Sequence, residues 1–257
     1  MWRWIKTLDR ILRGQATQLS ALREEKFDVP IFGMAVVVDV LGIAYGLCMG
    51  LFSISPGGNG HPMQILATMV KVPTLFLATL MVTFPSLYVF NALVGSRLLA
   101  LSVLRLLIAS LAVMLAVLAS IGPIVAFFSF TTTSYEFMVL LNVFVFAMAG
   151  LLGLAFLLQT LHRLTILGFT TPETDVVVET EPATDAGPLD QPDNQVLAPH
   201  VRTVFRVWVI VFGLVGCQMA WVLRPFIGHP DQPFAWFRHP NSNFFQAVVG
   251  AAIKLFT

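Results

Sequence analysis

Long apolar runs separated by short polar punctuation dominate the chain. Five stretches, residues 31–54, 65–93, 98–130, 135–161 and 201–226, consist mostly of Ala, Val, Ile, Leu, Met and Phe with few charges. A hydrocarbon core about 30 Å thick requires roughly 20 such residues per helix, because lipid offers no partner to an unsatisfied backbone N–H or C=O. The pattern therefore predicts an all-α protein, a polytopic transmembrane bundle of five spans. The second and third runs exceed the minimum length, so tilting or kinking is expected, with Pro73, Pro85 and Pro123 as the kink positions.

Three segments outside the spans are patterned differently. Between residues 2 and 23, Trp4, Leu8, Ile11, Leu12, Leu19 and Leu22 recur at helical spacing while Arg3, Lys6, Arg10 and Arg13 fall elsewhere. That is the pattern of a basic amphipathic helix lying in the membrane interface and anchoring the first span; a partner-binding or curvature-sensing helix is the alternative. Residues 170–199 are rich in Pro, Asp, Glu and Thr, with Val176 to Val178 as their main apolar cluster, and predict a flexible cytoplasmic linker. Its acidity could instead attract a basic partner. After the last run, Pro230, Pro233 and Pro240 interrupt the chain ahead of a short apolar helix carrying Phe244, Phe245, Val248, Val249, Ile253 and Phe256. That helix is too short to span, and Trp221, Trp236 and Phe237 fit an aromatic belt beside it. The expected organisation is an N-terminal amphipathic region (1–30), a four-span bundle (31–164), an acidic linker (165–200), and the fifth span with an extracytoplasmic tail (201–257).

Composition agrees with the pattern. Of 257 residues, 57% are hydrophobic and only 11% charged, against about 25% charged in an ordinary soluble domain. With 15 Lys and Arg against 14 Asp and Glu, the net charge of +1 provides no bulk field for nucleic acid. Charge placement sets the orientation. Arg3, Lys6, Arg10, Arg13, Arg23 and Lys26 precede span one, Arg97 separates spans two and three, and Arg163 and Arg202 bracket the linker, whereas residues 55–64 and 131–134 hold no Lys or Arg. The N-terminus is accordingly expected inside and the C-terminus outside; Arg224, Arg238 and Lys254 count against this, but they follow the last span, where the bias is weakest. The polar stretch before span one carries no small-residue cleavage signature, so an anchor is expected rather than a removed signal peptide. Without eukaryotic targeting signals, a bacterial inner membrane is the expected location.

Ionisable groups at membrane depth are functional candidates by default. Asp39 in span one and Arg105 in span three enter to similar depth from the cytoplasmic side, which makes them a candidate ion pair. Lys71 enters span two from the other side, where Glu136 at the start of span four is its candidate partner. Snorkelling of either cation toward water is the simpler alternative. Gly42, Gly46 and Gly50 form a small-x-x-x-small ridge on nearly the same face as Asp39, which should therefore meet protein and not lipid. Ser102, Ala109, Ala112, Ala116 and Ser120 share a face with Arg105, and Thr68, Thr79, Thr83 and Ser86 lie near Lys71. These faces could pack closely around buried pairs, or they could line a polar path.

Motifs for chemistry are missing from the sequence. It holds no phosphate-cradling glycine loop followed by a basic residue, no His-Glu-x-x-His, no Gly-x-Ser-x-Gly and no Cys-x-x-Cys. Cys48 and Cys217 lie inside apolar runs and read as small buried residues, and the five histidines read as loop or interfacial residues. No catalytic, cofactor-binding or metal-binding residue is assigned.

Five clustered spans behind a cytoplasmic N-terminal region resemble the Yip-type family of polytopic membrane proteins, and Asp39 through Gly46 is loosely similar to that family's Asp-Leu-Tyr-Gly-Pro signature. The resemblance implies a role in membrane trafficking or, for bacterial members, an undefined activity. The long linker before span five departs from the family's compact arrangement, so no functional residue is carried over. The function expected is a non-enzymatic scaffold or accessory subunit of a membrane assembly, in contact with lipid and with a protein partner or a second copy of itself. The alternative is a small-solute or ion transporter whose path runs between spans one, two and three.

Overall fold

In the computed structural model, the described residues are 2–14, 30–58, 60–93, 100–168, 197–238 and 243–256. They form helices and irregular connections, with no strand among them. The helices are α1 (Trp2–Leu12), α2 (Ile31–Gly50), α3 (Met63–Leu93), α4 (Ala100–Thr131), α5 (Tyr135–Gly168), α6 (Leu197–Val222) and α7 (Phe244–Phe256), and a 3-10 turn (Leu51–Ile54) follows α2. Most of the expected acidic linker, residues 169–196, lies outside the described residues.

Four segments are long and apolar enough to cross a membrane: Ile31–Ile54, Met63–Ser86, Leu104–Thr131 and Tyr135–Thr160. The expected fifth span coincides with α6, whose apolar stretch Val207–Val222 is shorter than these four. Large apolar side chains such as Phe32, Met81, Phe127, Phe144, Leu151 and Ile210 point outward. A soluble monomer rarely tolerates so much exposed apolar surface, so the exterior is compatible with an integral membrane protein.

Local chemistry sets the helix ends. Pro30 lies in an extended conformation before α2, and Ser55 closes the following turn by donating from both its N–H and its Oγ to the Phe52 carbonyl (3.1 and 2.7 Å). Gly60 completes that turn at φ +72°, a conformation L side chains rarely adopt. Ser134 caps α5, its Oγ accepting from the Phe137 N–H at 3.2 Å. Pro73 and Pro85 lie inside α3 and Pro123 inside α4, the three positions expected for kinks.

Helix α2 lies between α3 and α4, with α5 against α4, α6 against α3 and α7 against α5. The glycine ridge is used within the chain. A Cβ at Gly42 would lie 3.0 Å from Pro73 Cβ, one at Gly46 2.7 Å from the Thr68 carbonyl oxygen, and one at Gly50 2.8 Å from Ile65 Cα. Backbone therefore meets backbone along the α2–α3 seam, the contact that small residues permit. Gly153 does the same for α5, where a Cβ would lie 2.9 Å from Met114 Cβ on α4.

Between these seams, buried Tyr45 donates from its hydroxyl to Asn142 Oδ1 at 2.8 Å, and Asn142 Nδ2 donates to the Met138 carbonyl at 2.8 Å. The Phe146 ring packs edge-on to Tyr45 and stacks with Phe76. Tyr45→Phe leaves the Asn142 oxygen buried without its donor, at a cost of about 1–3 kcal/mol. A lowered unfolding midpoint in detergent, rescued by adding Asn142→Leu, checks this.

Helix α1 packs in part against the bundle. Leu8 and Ile11 are buried against the bundle, where α1 meets α2 and α4, and the Trp4 indole fills the space above Gly33. Arg3, Lys6, Arg10 and Arg13 remain exposed, as do Ile5 and Leu12. The helix is amphipathic as its spacing indicates, but part of its apolar face is taken up by protein.

Candidate functional site

Gln64, Thr68 and Lys71 are spaced at i, i+4 and i+7, so they share one face of α3. All three are buried. That face receives residues 223–238, which follow α6 and, with Pro225, Pro230 and Pro233, cannot continue a helix. Irregular backbone of this kind leaves carbonyls that need donors, and at membrane depth only protein can supply them.

The α3 side chains supply those donors. Gln64 Nε2 donates to the carbonyls of Pro225 (3.0 Å) and Phe226 (3.1 Å). Thr68 Oγ1 lies 2.7 Å from both the Phe226 and the Gln64 carbonyl oxygens, and its single proton serves one at a time. Lys71 Nζ donates to the Pro225 carbonyl at 3.0 Å and to the Trp236 carbonyl, and it sits 5.1 Å from the centroid of the Phe237 ring. One ammonium thus ties together two points eleven residues apart, Pro225 and Trp236, and buries Pro225, Ile227 and Gly228 against the bundle.

Around this staple, the Arg224 guanidinium lies 3.9 Å over the Trp221 ring. Arg238 donates to Gln232 Oε1 and, at 2.9 Å, to the Pro233 carbonyl. The Tyr135 ring at the start of α5 contacts the His229 ring, 4.6 Å between centroids.

Further hydroxyls of α3 are spent on their own helix. Thr79 donates to the Leu75 carbonyl, Thr83 to Thr79, and Ser86 to Thr83. Trp208 Nε1 of α6 adds a hydrogen bond to the Thr83 carbonyl at 3.3 Å. Hydroxyls bonded in this way satisfy themselves in an apolar setting without opening a polar surface.

The two expected ion pairs are not formed. Among the described residues, the carboxylate pairs within 4.0 Å are Arg13–Asp9 and His229–Asp231. Asp39 and Arg105 fail to meet because of rotation about α2. Cys48, which marks the side of α2 facing Gly122 of α4, is nine positions from Asp39, about 900° of helix, so the two lie on opposite faces. Asp39 instead stands on the side of the glycine ridge, half-buried, and no hydrogen bond or ion pair reaches it among the described residues. Lys71 and Glu136 fail to meet because the returning segment occupies the ammonium. Glu136 lies in the first turn of α5, where its charge complements the helix dipole.

Sequence reasoning placed Thr68 beside Lys71 but missed Gln64, Arg224 and Arg238. Gln64 was detectable, since it continues the i, i+4, i+7 series of Thr68 and Lys71. The partners were not, because main-chain carbonyls carry no residue signature. Among the described residues, no group of three or more His, Cys, Asp or Glu converges as a metal site.

Asp39→Asn is expected to leave stability unchanged within about 1 kcal/mol or to raise it, since it removes a membrane-depth charge without breaking a contact. Thermal unfolding in detergent checks this, and a large loss would reveal a partner for the carboxylate.

Comparison with known proteins gives no relative: no protein-family model matches the chain, and neither a curated protein nor a solved structure matches it.

Proposed function

We propose that this chain is a non-enzymatic integral membrane scaffold or accessory subunit, with α6 as a fifth span, the N-terminus inside and the C-terminus outside a bacterial inner membrane. One observation supports this reading above others: the donors of Gln64, Thr68, Lys71, Thr79 and Thr83 are committed to carbonyls of the same chain. A path for solutes needs polar groups that exchange partners with what passes, and α3 holds its own groups in fixed bonds. With the glycine ridge used inside the bundle, the surfaces open to a partner among the described residues include the outward apolar sides of the helices and the exposed cations of α1. The Yip-type arrangement belongs to this reading as a topology alone.

Native mass analysis of the protein extracted gently from its own membrane tests the proposal, with flux of ions and small solutes in proteoliposomes measured alongside. The scaffold reading expects a stoichiometric partner chain or a homo-oligomer and no flux above empty liposomes. Substrate-dependent flux by the isolated chain would contradict it.

One observation favours the transporter alternative. Asp39, a carboxylate about 12 Å along α2 from Ile31, makes no hydrogen bond or ion pair among the described residues, and such groups mark proton and cation pathways. Flux that disappears in Asp39→Asn supports this alternative, whereas the absence of flux in both proteins excludes it for the solutes assayed.

A further inference from the structure

Helix α6 presents one side to α3 and another outward. At about 100° per residue, Val207, Val211, Leu214, Gln218 and Val222 fall on one stripe about 80° wide, and all five side chains are exposed. The side toward α3 carries Trp208 and Gly216, which meet Thr83 and Thr79. Four members of the outward stripe are aliphatic, and the residue at its centre, Gln218, is an amide.

Depth decides what that amide can meet. Helix α6 runs antiparallel to α3, with Trp208 beside Thr83, Gly216 beside Thr79 and Pro225 beside Lys71. Thr79 lies about 24 Å along α3 from Met63 and about 10 Å from Ser86, the ends of its membrane-length segment. Gln218 follows Gly216 by two positions, so it stands about 21 Å from one end and about 13 Å from the other. In a hydrocarbon core about 30 Å thick that is close to the midplane, beyond the reach of a glutamine side chain to water.

Other exposed polar side chains on the spans are provided for. Thr74 and Ser120 donate their hydroxyls to the Val70 and Val117 carbonyls of their own helices, each at 2.7 Å. Gln159 is exposed as well, but it lies one residue from the end of its span, at the interface. Gln218 forms no hydrogen bond among the described residues, and lipid offers none to its two N–H groups and its carbonyl. A primary amide is its own complement, donating and accepting at once. Two copies inserted the same way are related by a two-fold axis along the membrane normal, which brings like residues together at like depth.

We infer that the outward stripe of α6 is a self-association surface, at which Gln218 pairs reciprocally with Gln218 of a second copy while Leu214 and Val222, one turn to either side, pack across the same axis. This contact deepens the scaffold reading and rests on α6 being a fifth span.

Disulfide trapping in sealed native membranes tests the surface on the full chain carrying Cys48→Ala and Cys217→Ala. Leu214→Cys, which keeps the amide, and Gln218→Cys are expected to give a cross-linked dimer, since a disulfide joins Cα atoms only about 4–7 Å apart. Leu151→Cys, exposed on α5, should give none. In parallel, energy transfer between labelled copies in liposomes reads association. Gln218→Leu should weaken it about tenfold, the worth of interhelical hydrogen bonds in a membrane; Gln218→Asn should retain it in part, and Gln159→Leu should leave it unchanged. A membrane-impermeant thiol reagent separates the ways of failing. Rapid labelling of Gln218→Cys would place the position in water and overturn the membrane depth of α6 and the contact together. A protected cysteine, with no cross-linked dimer and no association of wild type, would overturn the contact and leave the span standing. Cross-linking to a different protein would assign the stripe to another subunit and overturn self-association, and equal association of wild type and Gln218→Leu would overturn the amide pair. Since wild-type association and the Leu214→Cys cross-link are read directly, the result does not depend on Gln218 variants folding.

Discussion

Lys71→Met frees the segment after α6. The substitution keeps the length and apolar character of the side-chain stem but removes the ammonium that donates to the Pro225 and Trp236 carbonyls. Both oxygens then face a buried environment with one donor fewer. Hydrogen bonds from a charged donor contribute about 1.5–3 kcal/mol each, so the expected loss is about 3–6 kcal/mol, concentrated in residues 223–238. Gln64 still holds Pro225 and Phe226, so the Trp236 end should open first. Hydrogen exchange on protein in nanodiscs reads this directly: protection over 223–238 should fall while that of α2 and α4 stays at the wild-type level. Lys254→Met, an exposed lysine in the last turn of α7, is the matched control and should change neither. Equal protection in Lys71→Met and wild type would mean that the ammonium does not hold the segment.

The second large effect lies on the adjoining side of α3, where α2 packs. At Gly46 a Cβ would come within 2.7 Å of the Thr68 carbonyl oxygen and 2.9 Å of Met69 Cα. These are backbone atoms of a helix that is itself fixed by Pro73 against Gly42 and by Ile65 against Gly50. No side-chain rotation relieves the overlap, so α2 and α3 must separate along the seam. Overpacking costs about 1–3 kcal/mol where side chains can shift; Gly46→Val should fall at or above the top of that range, with Gly46→Ala below it. Gly213→Ala is the internal comparison, because nothing lies within 4 Å of its added methyl and an exposed helical alanine is favoured over glycine by about 1 kcal/mol. Unfolding midpoints in one detergent should order Gly213→Ala at or above wild type, then Gly46→Ala, then Gly46→Val. The separation of α2 from α3 also moves the Thr68 end of the staple, so Gly46→Val should expose part of residues 223–238 as well.

Much of the architecture was legible in the amino-acid pattern. Four of the five long apolar runs correspond to helices long enough to span, because apolar length is a direct requirement of the bilayer. Spacing identified the glycine ridge, and structure adds that its partner is α3 of the same chain. Pairing between polar residues was harder to read. Matched depth suggested Asp39 with Arg105, but depth ignores rotation, and Asp39 stands half a turn away from the α2 face that α4 covers. Charge complementarity suggested Lys71 with Glu136, yet carbonyl oxygens of a proline-broken segment are equally good acceptors. The aromatic residues of that segment read as an interfacial belt; the Trp236 ring is indeed exposed while its carbonyl reaches inward to Lys71. A segment without helical or strand period gives no sequence signal for where it folds back.

These residues also separate the two functional readings. If the α3 donors are fixed in intrachain bonds, the interior beside them is closed to water; if they line a path, water reaches them. Thr79 and Thr83 are the positions to examine, being buried in the structure and clear of the Lys71 staple. In a background with Cys48→Ala and Cys217→Ala, Thr79→Cys and Thr83→Cys are exposed in turn to a membrane-impermeant thiol reagent from each side of sealed vesicles. Asp231→Cys, at a highly exposed position, serves as the reactive control. With the α3 donors fixed in intrachain bonds, Asp231→Cys is labelled from one side only and Thr79→Cys and Thr83→Cys from neither; labelling of either buried cysteine at a rate near the control would instead establish a water-filled path along α3.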